Sequence, residues 1–316
     1  MKKTALLLAL MLCLAFVCTA QADEPIRIIA LNFPSFDIAR SVAGDLAEVS
    51  MLLPPGTESH SYEPTPQDII AIQNADLFLY TGSGSEAWVD GIIASMGDQA
   101  PALFRLSDSV TMLAEEYTHS MEHHHEGEED CEEEDHHHGH VELDEHVWTS
   151  PKNVMLIAQD LCDALCAIFP ENAPVFQQST EAYLADLEAL DAEFEQIVAN
   201  GKRRQIIIGD RFPFRYFAAA YGLEYDAAFP GCSEDAEPSV RTVISLVDTV
   251  REKQIPVIFY IEFSSRRTAD ILAEETGAKP MLLHSCHNVS ADEIASGATY
   301  LTLMHQNAKA LKEALN

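Results

Sequence analysis

The sequence predicts an α/β protein: two βα lobes with mostly parallel sheets, joined by one long rigid helix. Strand patterns alternate with amphipathic helix patterns in both halves of the chain, an order typical of parallel sheets covered by helices. Between the halves, apolar side chains recur at spacings of four and three through residues 172–200. A helix of that length would run roughly 40 Å, which indicates a stiff connector and little hinge closure.

The chain divides into a signal peptide (1–22), a first lobe (23–170), a connecting helix (171–200) and a second lobe (201–316). The leader has two lysines, an apolar run too short for a good membrane span, and an Ala-Gln-Ala cleavage pattern. We therefore expect export and a soluble, extracytoplasmic monomer. Cys18 offers a second hypothesis, attachment to the membrane through a lipid-modified N-terminus.

The elements of the first lobe follow from apolar runs and helix-start signals. Continuous apolar runs predict strands at 26–31, 49–53 and 75–80. Helical spacing predicts helices at 36–47, 66–74, 88–96 and 154–169. Thr65 and Asp68 can form a capping box around Pro66. Ser150 is the N-cap and Pro151 the first-turn proline of the last of these helices.

The second lobe repeats the alternation. Apolar runs predict strands at 205–208, 255–262 and 280–283. Helical spacing predicts helices at 212–221, 239–253 and 268–276, and a last helix from residue 290 almost to the end. Ser290 and Glu293 form the capping box of that last helix, and glycines end two of the others.

Residues 115–140 break this pattern. They contain eight of the thirteen histidines, and eleven of the other eighteen residues are acidic. Such a composition cannot build a core, so we expect a disordered loop. Clustered histidines and carboxylates can still bind metal weakly, and the alternative is a purely solvating acidic loop.

Charge and cysteines narrow the functional classes. A net charge of −32 excludes nucleic acid as a partner, because phosphate binding needs a basic face, and it favours a cationic ligand. Five cysteines remain after the leader, so at least one thiol is unpaired. Cys162 and Cys166 lie one helical turn apart and are expected as buried thiols, whereas a Cys232–Cys286 disulfide is a hypothesis.

Three histidines share one context. His60, His146 and His287 each lie in a loop immediately before a capped helix, two in the first lobe and one in the second. Imidazole nitrogens suit Zn²⁺, and a carboxylate can complete the shell. Asp210, at the end of a predicted strand, is the candidate fourth ligand, and His284 is an alternative to His287.

Several stretches make the chain similar to the metal-binding, and specifically zinc-binding, solute-binding proteins of ABC transporters, a group that includes adhesin-type lipoproteins. They are His60-Ser-Tyr-Glu-Pro-Thr-Pro66, Glu145-His-Val-Trp148, the Tyr-Gly-Leu at 221–223 and the loop 284–290. The resemblance covers essentially the whole chain after the leader. Members of this family often carry a His/acid-rich insertion before the second motif, as this chain does.

The resemblance implies a metal site in the cleft between the lobes. His60 and His146 match the first two family ligands, and His287 takes the position of the fourth. The third position departs from the family pattern, because Arg211 stands where His or Glu is usual, and arginine cannot ligate a cation. Either Asp210 takes this place after a shift of one residue, or a water does.

The expected function is capture of Zn²⁺ outside the membrane and its delivery to an ABC permease for high-affinity uptake, without enzymatic activity. The histidine-rich ligands favour zinc over manganese or iron. The alternatives are a manganese- or iron-binding protein of the same fold, an adhesin, and a zinc hydrolase. A hydrolase would need an open coordination position and a general base, and no H-E-x-x-H motif occurs.

Overall fold

The computed structural model describes residues 25–57, 62–118, 120, 121, 142–231 and 237–316. It confirms the predicted class, an α/β protein with two wholly parallel sheets of four strands each. The strands of the first sheet are β1 (Ile26–Ala30), β2 (Ala47–Met51), β3 (Leu77–Tyr80) and β4 (Ala102–Arg105). Those of the second are β5 (Gln205–Phe212), β6 (Glu224–Pro230), β7 (Val257–Tyr260) and β8 (Lys279–Leu282).

Helices cover both sheets. In the first lobe they are α1 (Phe33–Ala43), α2 (Pro66–Gln73), α3 (Trp88–Met96) and α4 (Pro151–Ile168). The connector is α5 (Ala173–Asn200). In the second lobe they are α6 (Arg215–Tyr221), α7 (Val240–Lys253), α8 (Arg267–Thr276), α9 (Ala291–Ala295) and α10 (Tyr300–Leu315). The predicted capping boxes of α2 and α9 are both present.

The two sheets have matching topologies. Their strand orders are β2-β1-β3-β4 and β6-β5-β7-β8. In each lobe the first strand therefore lies inside the sheet, the second forms one edge, and the third and fourth lie on the other side of the first. The inner strands β3 and β5 are buried on both faces, since consecutive residues of each, Leu77–Tyr80 and 205–208, are buried. Ligands of such sheets bind beyond the carboxyl ends of the strands. In this molecule the loops after β2, β5, β7 and β8 meet there in one pocket.

The connecting helix is confirmed, and it is part of the core. α5 is a continuous helix of 28 residues that buries one face, including Leu187, Leu190 and Phe194. These side chains belong to a single hydrophobic cluster that also contains Ile28 of the first sheet and Ile208 of the second. Because both lobes share this close-packed core, large hinge motion would have to break apolar contacts.

Several elements differ from the prediction. β4 and β6 were not predicted, because their sequences are short or interrupted by polar residues. β5 continues four residues beyond the predicted 205–208, so α6 begins at Arg215 instead of residue 212. The predicted last helix is two helices, because Gly297 has φ +78° and Thr299 opens a new capping box.

The start of the His/acid-rich stretch is ordered, in contrast to the prediction of disorder from residue 115. Ser120 and Met121 are buried, and the hydroxyls of Thr118 and Ser120 donate to Asp226 on β6. Residues 119 and 122–141 lie outside the described residues. The hydrogen bonds therefore anchor one end of the stretch on the second lobe.

The described cysteines are free thiols. Cys286 is buried and unbridged, which does not support the Cys232–Cys286 hypothesis, and position 232 lies outside the described residues. Cys162 is buried and Cys166 partly buried, in agreement with the expectation for this pair. Within the described part of the chain, no helix combines the length and apolar character needed to cross a bilayer.

Candidate metal centre

Three side chains that can ligate a metal converge in the cleft. Glu145, His146 and His287 each place one ligand atom within 4.8 Å of the other two, and they form the one such group found among the described residues. The imidazole rings of the two histidines lie edge to face with centroids 5.4 Å apart. Each lobe contributes to this group, because His146 precedes α4 and His287 follows β8.

The orientation of His146 is set by Asp144. One carboxylate oxygen of Asp144 accepts hydrogen bonds from the backbone N–H of His146 at 2.8 Å and from its Nδ1 at 3.1 Å. With Nδ1 bonded to Asp144, Nε2 is the nitrogen that would ligate a metal, an arrangement common for metal-binding histidines. The Asp144 carbonyl in turn accepts a bond from the Tyr216 hydroxyl at 2.7 Å, which anchors the loop to the second lobe.

Electrostatics around His146 favour positive charge. Burial alone would lower the pKa of its imidazole, but the charge and hydrogen bond of Asp144 outweigh burial and raise that pKa above its ordinary value. The neighbouring charges of Glu145 and Glu115 act in the same direction. A site that stabilises a protonated imidazole is equally suited to a bound cation, which would replace the proton.

His287 lies against Trp148. The Trp148 ring centroid is 4.8 Å from the His287 ring, and its indole N–H donates to the Ser285 carbonyl at 2.9 Å. Glu262, which follows β7, accepts hydrogen bonds from the backbone N–H groups of Ser285 and His287. Between them, Cys286 has φ +59°, an unusual conformation for a side chain with a Cβ. These contacts hold the His287 loop in a single shape.

Hydrogen bonds join the loop after β2 to the loop that carries His287. The Asn288 side chain donates to the carbonyls of Pro54 and Thr57 at 2.8 and 2.9 Å, and Gly56 N–H donates to the Val289 carbonyl. Thr57 lines the pocket that also contains His146 and His287. His60, the third predicted histidine, lies outside the described residues, and its role stays a prediction.

The backbone at Gly231 packs closely against Phe212, Asp144 and His146. A Cβ at this position would lie 2.9 Å from the Phe212 carbonyl oxygen, 3.2 Å from a carboxylate oxygen of Asp144 and 3.4 Å from Cε1 of His146. Contacts this short leave no room for a side chain. A side chain here would therefore require the Phe212 backbone to shift and would crowd the Asp144 carboxylate.

The structure does not bring Asp210 into this group. The Asp210 carboxylate accepts from the Arg211 backbone N–H at 2.9 Å and from Ser264, and burial raises its pKa while these two bonds lower it. The pairing of β5 with β6 shifts register between Ile208 and Arg211. Arg211, and not Asp210, lines the pocket beside the two histidines.

His284, the alternative to His287, is also directed elsewhere. It is 2% exposed, its Nδ1 accepts from the Cys286 N–H at 2.9 Å, and its backbone bonds to Asn307 on α10. Burial would lower the pKa of His284, but the nearby charge of Glu262 helps to raise it well above the ordinary value. His284 therefore supports the loop that carries His287.

The family model described as zinc-uptake complex component A, periplasmic (ZnuA), matches residues 28–314. The chain belongs to the ZnuA family. This membership confirms the resemblance drawn from its motifs. Both motif histidines that the structure describes, His146 and His287, lie in the metal group.

Relatives within the ZnuA family include two named zinc-binding or zinc-uptake proteins. The zinc-binding lipoprotein AdcA of Streptococcus pneumoniae is 32% identical over 318 aligned positions, which cover 99% of this chain and 61% of AdcA. The high-affinity zinc uptake system protein ZnuA of Bacillus subtilis is 32% identical over 292 positions, 92% of this chain and 88% of that protein. The chain thus spans about three fifths of the AdcA proteins that it matches.

A solved structure shares the whole fold. The Zn(II)-bound ZnuA-like domain of Streptococcus pneumoniae AdcA superposes with a TM-score of 0.75 at 27% identity, covering 92% of this chain and 99% of that domain. The two-lobe arrangement with a long connecting helix is therefore that of the ZnuA-like proteins.

One member of the group, Glu145, was not identified as a ligand from the sequence. It is 5% exposed and accepts a hydrogen bond from the Ser85 hydroxyl at 3.2 Å. The signal was its position directly before His146 in the Glu-His-Val-Trp motif. Glu86 lies nearby, and burial together with the charge of Glu145 raises its pKa to about 7.

Proposed function

We propose that this protein captures Zn²⁺ in the cleft between its lobes and delivers it to an ABC permease for high-affinity uptake. The observation that carries the proposal is the group of Glu145, His146 and His287, whose ligand atoms lie within 4.8 Å of one another in the ZnuA-family cleft. The zinc-named relatives support the same cargo.

The donor types fit zinc. Two imidazoles and one carboxylate form a nitrogen-rich donor set that suits a tetrahedral Zn²⁺ ion, whereas manganese would be served better by more oxygen donors. Both histidines belong to loops braced by hydrogen bonds from the second lobe and from Trp148. A braced pair of ligands lowers the entropy cost of closing the shell around the ion.

We further propose His60 as the third imidazole. The pocket residue Thr57 precedes it by three positions, and Tyr62, two positions beyond, lines a smaller cavity together with His287. Asp210 stays a prediction for the remaining position, and its bonds to Arg211 and Ser264 argue against it. Glu145 is the better candidate for the carboxylate.

We place the protein outside the cytoplasmic membrane. The family description is periplasmic, and the AdcA relatives are named lipoproteins. Export by segment 1–22 and attachment through Cys18 are proposals about residues outside the described part of the chain. A permease is the expected partner, because a cargo-binding protein of this family needs a membrane component, and we expect it to act on a monomer.

We propose a binding role without catalysis. The metal group is braced by the two lobes, and the chain lacks the H-E-x-x-H arrangement in which a glutamate serves as general base beside zinc. The His/acid-rich stretch would collect zinc near the cleft. Deleting residues 122–140 should leave the high-affinity site intact and reduce uptake only when zinc is scarce.

The proposal is tested by zinc titration of single variants against a competing chromogenic chelator. His146→Ala and His287→Ala should each weaken zinc binding by about a hundredfold or more, since each removes a ligand. His305→Ala is the matched control, because His305 lies on α10, is half exposed and bonds to Glu193. Tight zinc binding retained in either ligand variant would sink the proposal.

A further inference from the structure

Two segments that flank residues 122–141 form a short antiparallel pair, the stem. One strand of the stem is residues 113–115 and the other is residues 142–144, and an isolated bridge joins their central residues. At one end of the stem, the Asp144 N–H donates to the Leu113 carbonyl at 2.9 Å. The Asp144 carboxylate orients His146. The stem of the His/acid-rich stretch therefore contains the residue that aims a zinc ligand.

The Tyr216 hydroxyl interrupts the stem at Asp144. In an antiparallel ladder, the two residues of a hydrogen-bonded pair exchange two backbone bonds. Between Leu113 and Asp144, one of these bonds is direct. In place of the second, the Leu113 N–H donates to the Tyr216 hydroxyl at 3.1 Å, and that hydroxyl donates to the Asp144 carbonyl at 2.7 Å. The hydroxyl thus lies between a donor and an acceptor that would otherwise bond to each other.

Tyr216 reaches the stem from the second lobe. It lies on α6 and is 4% exposed, so its ring is held by packing and its hydroxyl is shielded from bulk water. The adjacent Arg215 holds the same stem, because its side chain donates to the Ala114 carbonyl at 3.4 Å and pairs with Glu116 at 3.1 Å. The second lobe therefore sets the position of Asp144, which precedes a ligand of the first lobe.

We propose that Tyr216 is a positioning residue of the zinc site, which acts on His146 through Asp144. The hydroxyl of Tyr216 sets the separation of the two stem strands at residue 144, and the carboxylate of that residue fixes the imidazole. The inference rests on the proposed function, since it names how one ligand of that site is held. It gives the stem a role in the high-affinity site, separate from any role of residues 122–140.

Tyr216→Phe removes the hydroxyl and keeps the ring. The Leu113 N–H and the Asp144 carbonyl then either lose their partner or bond directly to each other, and both changes displace residue 144. Loss of a group that supports a metal ligand typically costs 10- to 100-fold in metal affinity, so zinc binding should weaken about tenfold in chelator competition. The titration is done well below the melting temperature of every variant, so that only folded protein is compared.

Tyr221→Phe is the matched control. Tyr221 lies on the same helix, is 6% exposed, and its hydroxyl donates to Asp191 on α5 at 2.7 Å. Loss of that bond should lower the melting temperature and leave zinc affinity unchanged. An unchanged affinity in Tyr216→Phe, or an equal loss in Tyr221→Phe, would overturn the inference.

A double-mutant cycle with Asp144→Asn shows whether the two residues act together. If Tyr216 acts through Asp144, adding Tyr216→Phe to Asp144→Asn should weaken zinc binding by about threefold or less, because the orientation of His146 is already lost. A further loss as large as that of Tyr216→Phe alone would mean that the two residues act independently, which would refute the proposed route.

The Nδ1 proton of His146 gives a readout that a general loss of stability would not change. In zinc-loaded protein labelled with ¹⁵N-histidine, the NMR signal of this proton should shift in Tyr216→Phe and keep its position in Tyr221→Phe. An unshifted signal in Tyr216→Phe would contradict the inference and leave the proposed function standing. Failure of the intact protein to bind zinc would contradict the proposed function and this inference with it.

Discussion

Replacing Asp144 by Asn tests how the protein orients its best-defined ligand. Asp144 is 1% exposed, and one of its oxygens accepts from both the backbone N–H and Nδ1 of His146. The amide keeps an acceptor oxygen, so the backbone bond survives. The substitution removes the negative charge and weakens the bond that fixes the imidazole ring.

The expected loss follows from the role of such partners. Removing a carboxylate that orients a metal-binding histidine typically costs 10- to 100-fold in metal affinity, or about 1.4–2.7 kcal/mol. Asp144→Asn should therefore weaken zinc binding by about that factor in chelator competition. The protein should remain folded, because the Tyr216 hydroxyl still bonds to the carbonyl of residue 144.

A matched control comes from a second buried aspartate. Asp37 is also 1% exposed, accepts from the Tyr300 N–H at 2.9 Å and pairs with Arg40, and it is not a member of the metal group. Asp37→Asn should lower the melting temperature and leave zinc affinity unchanged. If Asp144→Asn bound zinc as tightly as the intact protein, or if Asp37→Asn weakened it equally, the orienting role of Asp144 would be refuted.

Two further predictions concern residues around the group. Gly231→Ala should weaken zinc binding about tenfold, since its Cβ would clash with the Phe212 carbonyl and crowd the Asp144 carboxylate that orients His146. Gly91→Ala, with nothing within 4 Å of its Cβ, should leave the affinity unchanged, and equal affinities of the two variants by chelator competition would contradict this. Burial, with the charge of a neighbouring carboxylate, raises the pKa of Glu86 from 4.5 to about 7, so the folded metal-free protein keeps a proton that the unfolded chain has lost. The free energy of unfolding of the metal-free protein should therefore fall by about 3 kcal/mol as the pH rises from 4.5 to about 7, as measured by urea denaturation. Glu86→Gln should remove that fall. An unchanged pH dependence in this variant would contradict the assignment of the raised pKa to Glu86.

The sequence predicted the parts of the fold that depend on local periodicity. Both lobes, the connector and the capping boxes followed from apolar spacing and helix-start signals, which act over a few residues. β6 escaped prediction because Asp226 and two alanines interrupt its apolar pattern, and its strand conformation comes from pairing with β5. The ordered placement of Ser120 likewise depends on Asp226, more than a hundred residues away in the chain.

The candidate site was also predicted only in part, because local sequence signals identify some of its residues and tertiary structure places the others. His146 and His287 were identifiable because each stands before a helix start in a family motif. The choice between Asp210 and Arg211 depended on which of them lines the pocket at the end of β5, where pairing with β6 shifts register after Ile208. The alternation of side chains along a strand does not reveal such a shift. The sequence alone therefore could not decide which of the two residues lines the pocket.

The central claim is that one zinc ion binds between the two lobes at His146 and His287. Crystals of the zinc-loaded protein, with anomalous difference maps recorded above and below the zinc absorption edge, test it most directly. We predict one strong peak bonded to Nε2 of His146 and to His287, at about 2.0–2.1 Å from each nitrogen. A cleft without a zinc peak, or a fully occupied ion bound elsewhere with these two histidines free, would contradict the claim.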